Sequence, residues 1–384
     1  MAIKRAIVVG AGMGGLSVAI ALRDAGFDVV VFERMKRFLD VGAFSLWTNA
    51  MLALKKLGVA DAVTARGAAL DSMELRNSRG RLLKTFPLGE IGRRCGAPTV
   101  GVHRADLQAA LAERLGKDLV QFGAECVGFE EEGDRVVAHL ADGRTEQADL
   151  LVGADGVRSK IRAHLLGDEP PHYPGFTCWR SATKPRSGAD VGPVFVQLYG
   201  RGAAFGLFPI GPGTVCWYGT KAAPEGGARR GSPVEWRRAA LQQFGDWWEP
   251  VAAVIEGTDD NGVVQQDIYD RDPIDSWSRG RVVLLGDAAH PAPPTLGQGG
   301  CMAIEDAVVL GRCLRNEADI PTALRAFVAA RVGRTSMIVR QARRQGALVH
   351  SQSRAKAAMR NAVLTLMPEG VATRQLERLI GFDA

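Results

Sequence analysis

The chain has 384 residues, 46% of them hydrophobic and 23% charged, and its 48 Lys+Arg against 42 Asp+Glu give a formal net charge of +6 at pH 7. That composition excludes global disorder, supplies a large core, and fits two or three domains or one large α/β body with insertions. The positive excess gathers late, with 11 Arg/Lys against 5 Asp/Glu from Asn316 onward. No interleaved aromatics or basic clusters accompany it, so it reads as a solvated helix face and no nucleic-acid partner is expected.

Cys95, Cys126, Cys178, Cys216, Cys301 and Cys313 are far apart and form no CxxC pair, so neither a metal site nor a disulfide framework is expected. The N-terminal apolar run stops at Gly10, too soon for a signal-peptide core, and no stretch approaches a membrane span. The expectation is a cytoplasmic protein without a membrane partner, monomer or homodimer.

Residues 5–9 form a short apolar run ending at glycine, as a buried parallel strand does. Leu16, Ala19, Ile20 and Leu22 recur at helical spacing before Gly26, and residues 28–32 return to a buried strand. This is one βαβ unit. Helices are predicted over 48–58 and 103–115, an antiparallel meander between 118 and 152, and a buried strand over 149–153. From about 172 to 270 the texture changes to strands at 176–182, 194–199, 203–209 and 214–219, then helices near 233–244 and 249–256. Residues 281–286 form another buried strand, and the chain is mostly helical from about 298. The pattern predicts an α/β fold in which a discontinuous nucleotide-binding domain (1–75, 100–170, 275–325) holds a β-sheet substrate domain (76–99, 171–274), followed by C-terminal helices (326–384).

The βαβ unit carries Gly10-Ala11-Gly12-Met13-Gly14-Gly15 at its first turn. Gly10 permits the tight turn, Gly12 lets backbone approach a pyrophosphate, and Gly15 allows close helix–strand packing. The helix starting there presents free N–H groups and a positive dipole end. Glu33 closes the next strand, 23 residues after Gly10, with Arg34 beside it, placed to accept from ribose hydroxyls. An acid there repels a 2′-phosphate, so the resident nucleotide is FAD or NAD rather than NADP.

Residues 285–307 then read LGDAAHPAPPTLGQGGCMAIEDA. Asp287 closes a buried strand, and Gly297, Gly299 and Gly300 strip side chains from a helix start. Here the sequence resembles the class A flavin-dependent aromatic hydroxylases, the para-hydroxybenzoate hydroxylase-like monooxygenases. Gly153-Ala154-Asp155-Gly156-Val157-Arg158-Ser159 resembles that family's Asp-Gly motif, and His103-Arg104-Ala105-Asp106-Leu107 its third cofactor contact. The segment 41–47 is similar to the one beside the isoalloxazine, with Ser45 as the contact, and the Cys126 strand to the adenine-side strand.

The resemblance implies a Rossmann-like FAD-binding domain of the glutathione-reductase type, with NADH or NADPH as transient reductant. It further implies that O2 gives a flavin C4a-hydroperoxide, which hydroxylates a small aromatic, phenolic or polycyclic substrate. Pro293 and Pro294 would then lie over the ring, and Cys301 stands where the family often has asparagine, as it does in the branch of urate hydroxylases and carotenoid epoxidases. That branch has an arginine where this chain has Ala204 and a tyrosine where it has Cys216. With strand period 2, Ala204, Gly206 and Phe208 share one face, as do Thr214, Cys216 and Tyr218. No fixed cation is expected on those faces, which disfavours urate and favours a larger, less charged aromatic.

Candidate bases for deprotonating a phenol are Tyr218 and His290, while Trp179 and Arg180 are candidate substrate contacts. A halogenase would carry Trp-x-Trp-x-Ile-Pro, which neither Trp247-Trp248 nor Cys216-Trp217-Tyr218 matches. The alternatives are another FAD-linked oxidoreductase on the same scaffold, or a flavin-binding protein that sequesters a ligand without turnover.

Overall fold

The computed structural model describes residues 4–38, 42–184, 192–227 and 231–384. Val41, quoted above with the isoalloxazine segment, lies outside the described residues. The apolar run Arg5–Val9 is the inner strand of a six-stranded sheet, paired in parallel with Asp28–Glu33 on one side and Leu150–Gly153 on the other. Val120–Phe122 extends one edge, and Val282–Leu284 with the short antiparallel Ser278–Arg279 extends the other. Such strands are buried on both faces, which is why they read as continuous rather than alternating apolar runs. The helix Met13–Asp24 packs against the helix Gly299–Asn316, so the first turn of the chain and a segment almost 300 residues later meet beside this sheet.

The meander is a three-stranded sheet of Cys126–Glu132, Arg135–Leu140 and Thr145–Ala148. A second small sheet joins Ala43–Leu46 and Ala68–Leu70 to Thr99–His103. The β-rich region is a seven-stranded sheet whose order runs Val264–Asp267, Phe176–Thr183, Thr214–Ala222, Ala203–Gly211, Val194–Tyr199, Ser72–Asn77, Leu82–Phe86. Ser72–Asn77 pairs in parallel with Val194–Tyr199. The boundary expected at 75 therefore falls inside a strand of the large sheet.

The large sheet has two unlike faces. Trp179, Val196, Leu198, Phe205, Leu207 and Trp217 point to one side and pack under the helices Pro233–Phe244 and Pro250–Glu256. The capping box of Ser232 with Glu235, and proline at the first helical position, fix where the first of these helices starts. The other face is covered by the helix Ile320–Val349, by Arg354–Leu366 and by Glu369–Ile380. At about 1.5 Å per residue the 30-residue helix is about 45 Å long, enough to reach from the nucleotide-side sheet to the far end of the large one. The boundary expected at 325 falls inside it. Among the described residues, no helix is long and apolar enough to cross a membrane.

Candidate active site

A cavity of about 960 Å³ runs between the two sheets and under the C-terminal helices. At one end it meets two helix starts. Gly12 precedes the helix Met13–Asp24 and Gln298 precedes Gly299–Asn316, neither with a side-chain cap, so the free N–H groups of both first turns border the same space. The glycines there do different jobs. Gly10 has φ +102°, and a Cβ would stand 2.5 Å from the Ala154 carbonyl oxygen. A Cβ on Gly15 would overlap the Gly10 carbonyl oxygen, and one on Gly14 would press on Leu285. Around Gly12 there is nothing among the described residues within 4 Å, which is the open approach a diphosphate needs. Gly297, at φ +63°, lies under the Trp47 indole, while Gly299 faces Asp287 and Gly300 lies against Met13.

Asp287 lines the cavity on a loop held from two sides. From one side, buried Arg162 donates to the Ala288 and Ala289 carbonyls, both at 3.0 Å. Arg162 is placed by its helix, which Asp155 and Ser159 cap: Asp155 accepts from Ser159 Oγ at 2.5 Å and from the Lys160 N–H at 2.7 Å. From the other side, Asp306 accepts from the Gly286 N–H at 3.1 Å and pairs with His290 Nε2 at 2.7 Å. Burial among protein atoms pushes the Asp287 carboxyl above the ordinary carboxylate range, against the opposing pull of His290 and Arg104.

Arg104 also lines the cavity, and its buried Nε has no partner among the described residues. Desolvation and the charge of Arg180 lower its pKa. Ser45 and buried Cys301 are both on the wall, the Cys301 thiol reaching the carbonyls of Ser45 and Gly297. Burial pushes that thiol up to about 12, so it is un-ionised and unreactive at neutral pH. Glu33 accepts from the Ala11 and Met35 N–H groups at 2.8 Å each, tying the second strand to the glycine turn, and Arg34 beside it is exposed. The open approach at Gly12, the two uncapped helix starts, the unpartnered Arg104 Nε and the Asp287 carboxyl together fit the diphosphate and polyol of a flavin dinucleotide.

Beyond this end, one face of the large sheet continues the wall. Gln197, Gly206, Tyr218 and Arg180 stand in register on four neighbouring strands. Gly206 is glycine because the Tyr218 ring lies across it, and by that path the phenol reaches the next strand and donates to Gln197 Oε1. Gln197 is itself fixed by donating to the Phe205 carbonyl at 3.1 Å. Arg180 donates to Gln266 Oε1 at 2.9 Å. Phe195 and Phe208 stack with centroids 5.0 Å apart, and Cys216, Ala204 and Pro294 complete the wall.

Several expected site residues stand elsewhere. Trp179 points to the opposite face of the sheet and packs edge-on to Phe244, because it alternates with Cys178 and Arg180, which do line the cavity. Arg180 thus supplies a cation that the reading of the neighbouring strands had left out. His290 is buried and bound to Asp306, off the cavity wall, and holds the Asp287 loop rather than facing a substrate. Tyr218 is on the wall, yet burial raises its phenol well above 10, so at neutral pH it is a donor and not a base. Pro293 is buried off the wall, with Pro294 and Ala292 on it. Cys126 is buried in its strand with the thiol on the Gly128 carbonyl, off the cavity wall.

A buried ion network is the part that the sequence reading missed. Arg331 bonds Asp306 at 2.6 Å and Glu305 at 2.7 Å, all three fully buried. Arg334 bonds the same Glu305, and Asn49 donates to both Glu305 and Gln298. Burial pushes the Asp306 carboxyl up, but His290 and Arg331 outweigh it and hold it at about 2.

The FAD binding domain family matches residues 4–172 and 269–322, the segments that build the nucleotide-side sheet and the Asp287 loop. An aurachin C monooxygenase/isomerase from Stigmatella aurantiaca is 43% identical over 334 residues, 87% of this chain and 86% of that protein. The FAD-dependent urate hydroxylase of Klebsiella pneumoniae is 36% identical over 352 residues, 91% of each chain. This chain belongs to the class A FAD-dependent aromatic hydroxylases. The crystal structure of Klebsiella pneumoniae HpxO complexed with FAD and uric acid superposes with a TM-score of 0.92 at 33% identity, over 98% of the hydroxylase and 96% of that chain. The hydroxylase is a flavoprotein monooxygenase, with a Rossmann-like FAD-binding domain and an inserted β-sheet domain.

Proposed function

We propose that the hydroxylase uses NADH or NADPH and O2 to insert one oxygen into a phenolic ring. The observation that carries this reading is the single cavity wall on which the row Gln197, Tyr218 and Arg180 and the stacked Phe195–Phe208 pair continue from Asp287, Pro294 and Gly297. The cofactor, when bound, supplies hydride acceptance and oxygen activation. Gly12, Arg104, Asp287, Gly299 and Gly300 would hold it.

The remaining chemistry falls to the wall. A planar ring lies against Phe195 and Phe208, which exclude water from the reacting carbon. Tyr218, its proton committed to Gln197, keeps oxygen lone pairs with which to accept from a ring hydroxyl. Arg180 lines the same cavity from the strand on the other side of Tyr218, its guanidinium bonded to Gln266, and its charge in the cavity favours the phenolate, the electron-rich form of the ring.

Tyr218→Phe is expected to lower kcat/KM by about fivefold to tenfold, the worth of about one hydrogen bond. The pH profile should keep its shape, because no phenolate is lost. A pH limb that disappears in this variant would restore Tyr218 as the base. The function itself is tested by following NADH and NADPH oxidation by the FAD-loaded protein with a panel of mono- and polycyclic phenols. Stimulated oxidation with a product one oxygen heavier is the expected result. Oxidation without oxygenated product for every phenol would overturn the phenolic reading.

A further inference from the structure

The cavity does not end at the ring-binding row. It continues as a limb between Met73, Leu75 and Phe86 on the edge strands of the large sheet and Leu364, Met367 and Leu376 on or beside the last two helices. None of these residues belongs to the strands or glycine turns that border the cofactor end, so the limb is space a cofactor does not use. Ala204 lines the cavity in register between Tyr199 and Thr220, a small side chain on the wall leading to the limb.

Gln345 and Gln375 also border the cavity at this end, and two further polar side chains there are occupied within the protein. His350 Nδ1 pairs with the Gly346 carbonyl at 2.9 Å and Nε2 with Thr220 Oγ1 at 3.0 Å, and the ring stacks on Phe176 at 3.9 Å. Arg360 donates to the Gly200 carbonyl and to Asn361 and lies 4.9 Å over the Tyr199 ring, and its Nη1 has no partner among the described residues. The six apolar side chains that face one another across the limb reward hydrocarbon between them.

We propose that this limb seats an aliphatic tail, so that the substrate is a phenolic ring carrying a long apolar chain. The inference rests on the hydroxylase reading above for the ring and adds the chain. It is tested with the FAD-loaded protein and 4-n-alkylphenols from methyl to nonyl, with dissociation constants measured by calorimetry and products by mass. Affinity should tighten about twofold to fourfold per added methylene, then level off where the limb ends. Leu376→Trp and Leu364→Trp should each bring the plateau to a shorter chain, with retained flavin content showing that the variants are folded. A chain ending in a carboxylate should lose the gain.

A series in which affinity is independent of chain length would overturn the proposal. So would a plateau that neither tryptophan variant moves, or a carboxylated chain that binds more tightly and thereby marks Arg360 as an anion site. The two readings fail separately. A chain-length gain with no oxygenated product keeps the limb and removes the phenol hydroxylase, while oxygenation with a flat series does the reverse.

Discussion

Arg331→Met is expected to cost about 3–5 kcal/mol of stability, the usual effect of removing one partner from a buried ion pair. The side chain has no exposure, and it leaves behind two carboxylates, Asp306 and Glu305, that are equally buried. Glu305 keeps Arg334, while among the described residues Asp306 keeps His290 and the Gly286 N–H. Thermal or urea unfolding of variant and parent measures the cost.

The same network sets an acid limit. Asp306 is held at about 2, below the ordinary aspartate value of about 3.9, so its contribution is complete above about pH 4 and is lost as pH falls toward 2. Without Arg331 that loss should begin at higher pH. A double change, Arg331→Met with Asp306→Leu, removes the uncompensated charge and should recover part of the stability. It should not recover flavin content, because the Asp287 loop has lost the group that holds Gly286 and His290. Full flavin in the double variant would show that the network is a stabilising core and has no part in placing Asp287.

What the sequence disclosed follows the range of the interactions. Gly10, Gly12 and Gly15 are legible because turn and helix start lie within one βαβ unit, whereas Glu33, expected to accept from ribose hydroxyls, has its carboxylate on the Ala11 and Met35 N–H groups. Strand alternation likewise put Ala204, Phe208, Cys216 and Tyr218 on one face. The same rule assigns Trp179 and Arg180 to opposite faces without saying which is inward. That choice is made by Arg180 pairing with Tyr218 across the sheet, a fact of register rather than of local pattern.

The buried network is harder, because Asn49, His290, Glu305, Asp306, Arg331 and Arg334 come from four segments that only the fold assembles. One signal was present. Glu305 and Asp306 interrupt the otherwise apolar run from Cys301 to Leu310, and two acids there must either face water or find cations. Arg331 and Arg334, three apart on a helix, are a pair spaced to meet them. His290 belongs to the same group. A histidine just after the Asp287 turn resembles a catalytic base until the helix carrying Asp306 is seen to pass behind it.

Gly12→Ala separates the fold from the cofactor. The backbone at Gly12, with φ −71° and ψ −177°, is one any residue adopts, and a methyl there would touch none of the described residues within 4 Å. The protein should therefore fold with unchanged stability in the absence of flavin. The methyl group would, however, project where the diphosphate must come close to the helix start. Overpacking of that kind costs about 1–3 kcal/mol, so FAD affinity should fall about tenfold to a hundredfold.

Gly15→Ala is the contrasting change. Its Cβ would overlap the Gly10 carbonyl oxygen, so strand and helix must part before any cofactor is considered, and stability and flavin content should fall together. Titration of flavin-free protein with FAD, alongside thermal unfolding of the same samples, reads both quantities. A Gly12→Ala protein that binds FAD as the parent does would place the diphosphate away from this turn. That result would leave the start of the Gly299–Asn316 helix as its remaining anchor.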